Sequence, residues 1–127
     1  MTQGVGAADA LTRHVFGPPD PSPALVESGR FPSSWVSEYR RLLHAVTDEW
    51  ASAPAWPRHL VGALHYALTH LRVRYEAWRS IEGGRRDEGT ERELSEVEAL
   101  TRLLFARAFP PAATSFVEPG AALGPAT

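Results

Sequence analysis

Between positions 57 and 82 the chain runs PRHLVGALHYALTHLRVRYEAWRSIE, and its apolar residues return every three or four positions. At about 100° per residue, Leu60, Leu64, Ala67, Leu68, Leu71, Tyr75 and Trp78 share one arc, the stripe of a helix that buries one side. A second, uncharged strip lies beside it: His59, Gly62, Tyr66, His70, Val73 and Ala77. Two adjoining low-charge strips describe either a helix enclosed on two sides within its own domain or a docking surface.

Two further segments carry the same period. Trp35, Val36, Tyr39, Leu42, Leu43, Val46 and Trp50 predict a helix over about 34–52, capped by Ser33 or Ser34 after Pro32. Leu94, Val97, Leu100, Leu104 and Ala108 predict another to Phe109, with Leu103, Phe105 and Phe109 widening its apolar side. Thr90 and Glu93 have the spacing of a capping box at its start. Residues 7–16 can form a short fourth helix through Leu11 and Val15, ended by Gly17-Pro18-Pro19.

The expected architecture is therefore all-α: a small three-helix bundle over 33–110, with a short N-terminal helix as an option. Residues 1–32 hold five prolines after Gly17 and read as a flexible leader or a strap across the bundle. Residues 111–127 read as a disordered Pro/Gly-rich tail with Phe116 and Val117 as its only anchors.

Composition excludes several chemistries. No cysteine removes disulfides, thiolate metal sites and thiol nucleophiles. No lysine removes the P-loop and Schiff-base mechanisms. All thirteen cations are arginine, a usage that points to GC-rich, bacterial coding. The N-terminal residues lack a signal-peptide pattern and no apolar run reaches 18 residues, so a cytoplasmic location is expected.

Charge is segregated along the chain. Six arginines lie between positions 58 and 86 against Glu76 and Glu82, and six acids between 87 and 98 against Arg92. Arg72, Arg79, Arg85 and Arg86 form a candidate basic patch, although the following acidic run would both neutralise it and repel phosphate. With a formal net charge of −2, nucleic acid is not the expected partner.

No catalytic constellation emerges, and no Glu-x-x-His pair marks a di-iron bundle. His44 and Asp48, one turn apart, are the candidate metal pair, with no matching ligands on the long central helix. The reading is a non-catalytic protein-interaction module without a cofactor. It would be a homodimer, or would bind a cognate partner as an immunity, antitoxin or adaptor protein does, through His59, Tyr66, His70 and Val73. The alternatives are a nucleic-acid-associated transcriptional regulator and a helical metal- or ligand-binding protein.

Overall fold

The computed structural model describes residues 6–109, and all the regular structure among them is helical. Helices α1 (Ala7–Phe16) and α2 (Ser22–Ser28) precede α3 (Trp35–Trp50). Helix α4 (Arg58–His65) passes without a break through a π-helical segment (Tyr66–His70) into α5 (Leu71–Ile81). Helix α6 (Glu88–Ala108) closes the described chain. No helix among these residues is long and apolar enough to cross a membrane. The expectations for 111–127, Phe116 and Val117 lie outside the described residues.

The long central helix predicted over 57–82 is present as the α4–π–α5 run, and its main stripe faces inward. Leu60, Leu64, Ala67, Leu71 and Tyr75 are at most 1% exposed. The π segment was not legible in the periodicity. Its i→i+5 turn is wider than an α turn, so positions after His70 lag in angle behind those before Tyr66.

Helix α1 packs against both α3 and α4, α2 lies on α5, and α6 packs against α3 and the π segment. Thus α3 packs against both α1 and α6. Leu11, Val15 and Leu25 from the N-terminal region are completely buried, in the same core as Leu64 and Leu94. Each such leucine contributes on the order of 1.5–3 kcal/mol by leaving water.

Local chemistry explains how the proline-rich segment holds this path. The Asp20 carboxylate accepts from the Ser22 N–H at 2.9 Å, so it restrains the entry to α2. Gly29 ends α2 in the left-handed region at φ 70°. A Cβ at this position would also strike the Trp78 indole, so both the dihedral and the close approach require glycine. Trp35 then anchors the start of α3, stacked against His14 (4.5 Å) and Phe31 (5.3 Å). Its indole N–H donates to the His14 carbonyl at 3.2 Å.

The start of α6 differs from the expected capping box. Asp87 is the N-cap, and its carboxylate accepts from the Thr90 N–H at 3.0 Å. That bond is the main reason its pKa lies below the usual carboxylate value, with burial opposing the shift and Arg30 adding to it. Thr90 sits inside the first turn instead. Its buried hydroxyl donates to the Gly29 carbonyl at 2.7 Å, tying α6 to the end of α2. The helix begins earlier than periodicity suggests because a polar cap carries no apolar signal.

A second buried polar contact joins α3 to α6. Thr101 donates its hydroxyl proton to the Val97 carbonyl at 2.6 Å, so Tyr39, 2.6 Å away, donates to the Thr101 oxygen. Burial pushes the Tyr39 phenol well above its ordinary pKa, which keeps it a donor throughout the physiological range.

Candidate functional site

The strip predicted on the central helix is divided between internal and exposed roles. His59 places Nε2 2.7 Å from the Asp9 carboxylate on α1. Tyr66 is half-buried: its hydroxyl bonds to the Ser22 hydroxyl and lies 3.3 Å from Asp20, while the Phe16 ring packs edge-on at 4.8 Å. Burial raises its pKa above the ordinary phenol value; the Ser22 bond opposes that, and Asp20 adds to it. His70 lies 4.6 Å from the Tyr66 ring and accepts from the Arg74 guanidinium at 3.0 Å through Nε2. Val73 is 59% exposed. His59 and Tyr66 are thus engaged by the N-terminal segment, whereas Val73 faces solvent.

The four arginines of the candidate basic patch all meet carboxylates. Arg72 forms a fork with Glu98 at 3.0 and 3.1 Å and lies 3.6 Å from Glu91. The Glu98 bond raises its already high pKa. Arg79 reaches Glu76 at 2.9 Å and the carbonyls of Gly84 and Arg85, which holds the turn before α6. Arg85 lies 3.9 Å from Glu82, and Arg86 3.5 Å from Glu91. Arg72 and Arg86 thus meet the acids of 87–98 across the α5–α6 connection, whereas Arg79 and Arg85 pair with Glu76 and Glu82 of their own stretch.

His44 and Asp48 are both exposed on α3. Among the described residues, no three His, Asp or Glu side chains come together as a metal-ligand group. His44 instead stands at the edge of a leucine-lined furrow between α3 and α6.

That furrow encloses about 100 Å³, with Leu43 and Leu104 buried beneath it and Leu100 on its wall. Leu103 rises at its lip and is 65% exposed, although the sequence assigns it to the apolar side of the bundle. The signal against that assignment was present: consecutive residues lie about 100° apart, so Leu103 cannot share the buried centre with Leu104. Phe109, also expected inside, is 51% exposed, with its ring 5.0 Å from Trp56.

Two charged side chains frame the furrow. Arg40 on α3 donates to Oε2 of Glu96 at 2.6 Å. Oε1 of Glu96 has no partner among the described residues, nor does the Arg107 guanidinium at the other end. The furrow's own lining carries two guanidiniums, Arg40 and Arg107, and Glu96 reaches it through its bond to Arg40, so an apolar side chain seated there would have charged neighbours of both signs close by. Neither Arg40 nor Arg107 stood out in the sequence, because their role depends on α3 and α6 being neighbours.

Compared with protein-family models, curated proteins and solved structures, the chain matches none of them. Its role must be read from these surfaces.

Proposed function

We propose that this chain is a small, non-catalytic protein-interaction module that acts by binding itself or a cognate protein, as an adaptor, immunity or antitoxin protein does. The observation that carries this reading is Leu103, held 65% exposed over a furrow already lined by leucines. A large apolar side chain beside an apolar slot is the composition of an interface centre, and the arginines and glutamate around it resemble a polar rim. The pairing of Arg72, Arg79, Arg85 and Arg86 with carboxylates supports protein over nucleic acid, since phosphate would have to displace those acids. The exposed remainder of the central strip, Val73 beside His70, is the second candidate surface.

The test immobilises the full chain, its Leu103→Arg variant and its Val73→Arg variant, and identifies retained proteins from the native host by mass spectrometry. A protein held by the wild type and lost by Leu103→Arg supports the reading at the furrow. Loss only with Val73→Arg moves the site to the central helix. Retention of no protein by the wild-type bait, together with a monomeric wild type, overturns the reading.

A further inference from the structure

Helix α6 carries one ridge at steps of four, three and four, Glu96, Leu100, Leu103 and Arg107, half-buried at its first two positions and exposed at its last two. These positions have a symmetry of their own. The midpoint of 96 and 107 is also the midpoint of 100 and 103. A two-fold axis between 101 and 102 therefore sets Leu100 opposite Leu103 of a second copy, and Glu96 opposite Arg107 of that copy, each twice.

We propose that the occupant of the furrow is a second copy of this chain, docked through antiparallel α6 helices, with Leu103 of each copy seated in the α3–α6 furrow of the other. The inference rests on the protein-binding reading above and names its partner and register.

Three observations favour this occupant. The first is size: about 100 Å³ suits one leucine side chain, whereas pockets for drug-sized molecules run to roughly 300–1,000 Å³. Leu103 belongs to the same surface as the furrow, which is the self-complementarity an isologous interface requires. The third is charge. Glu96 uses Oε2 for Arg40 and has Oε1 available, and Arg107 has no carboxylate partner among the described residues. A parallel arrangement would instead oppose Glu96 to Glu96 and Arg107 to Arg107, so the charges select the antiparallel one.

The absence of cysteine makes the register directly testable. Glu96→Cys and Arg107→Cys chains are prepared separately, and each is oxidised alone and then mixed with the other. The antiparallel register predicts a disulfide in the mixture only. Identical positions on two copies would lie about 16 Å apart along the helices, whereas bridging needs Cα atoms within roughly 7 Å. Light scattering on the cysteine-free chain should give twice 13.9 kDa. Leu103→Arg should return it to a monomer with unchanged helical circular dichroism.

A disulfide formed by either variant alone, or none in the mixture, overturns the proposal. So does a wild-type chain that remains monomeric up to about 1 mM, where any association would be worth less than roughly 4 kcal/mol. A monomer whose Leu103→Arg variant loses a different purified protein would remove the second copy and keep the protein-binding reading. A monomer that retains no protein on any of the three baits would remove both.

Discussion

The proline-rich N-terminal segment and helix α6 reverse what their sequences suggest. Residues 7–31 contain four prolines and two short helices, yet Leu11, Val15 and Leu25 are fully buried and Phe31 is 9% exposed. Helix α6 has 21 residues and a regular apolar period, yet leaves Leu103 at 65%. What separates them is coverage. The N-terminal segment is held against α3, α4 and α5, whereas the close packing of α6 is concentrated on α3 and the π segment and leaves Leu103 outside it. Helical propensity says that an element forms; it does not say how many of its faces are covered.

The largest effect that would break this comparison concerns the two leucines. Leu25→Ala should cost about 2–5 kcal/mol by opening a cavity, and Leu103→Ala no more than about 0.5 kcal/mol under monomeric conditions. Urea denaturation of both variants decides it, and equal midpoints would mean that the N-terminal segment is not part of the core. Gly29→Ala should cost about 2–4 kcal/mol, since alanine is strained at φ 70° and its methyl meets the Trp78 indole. A wild-type melting temperature for that variant would show that the segment can shift off α5.

A smaller effect sharpens the link between the two regions. Thr90→Val keeps the shape of the side chain but leaves the Gly29 carbonyl without its donor, at a cost of about 1–2 kcal/mol. Hydrogen exchange should then accelerate in α2 as well as in the first turn of α6.

The smallest is the pH dependence of the Asp87 cap. Its folded pKa is depressed, so its contribution is fully present above the unfolded value of about 3.9 and is lost as pH falls through the lower folded value. Asp87→Asn retains a capping oxygen and removes only the charge. Its deficit, at most about 1 kcal/mol at neutral pH, should therefore shrink toward zero as the solution is acidified below pH 4. A deficit constant from pH 7 to pH 2 would assign the cap's value to geometry alone.

Much of the helical content was legible because core burial imposes a 3.6-residue repeat. The central stripe from Leu60 to Trp78, the α3 face from Trp35 to Val46 and the α6 seam through Leu94, Val97 and Leu104 all follow from it. The charge segregation was legible too, and its ion pairs at Arg72 and Arg86 join the segments that the sequence distinguished. Less of the candidate site could be read. His59 and Tyr66 stood out for their low-charge surroundings, but the residues that engage them, Asp9, Ser22 and Phe16, lie more than 40 positions away.

The sequence by itself therefore determined which stretches become helices and which face of each is apolar, since both follow from contacts within a few turns. Only the tertiary structure decided which apolar faces are covered. That choice settles Leu25 inside and Leu103 outside, sends Thr90 to Gly29, and brings Leu43 of α3 beside Leu104 of α6 to form the furrow. The physical reason is that burial belongs to pairs of elements distant in the chain, and no periodicity within one element encodes its neighbour.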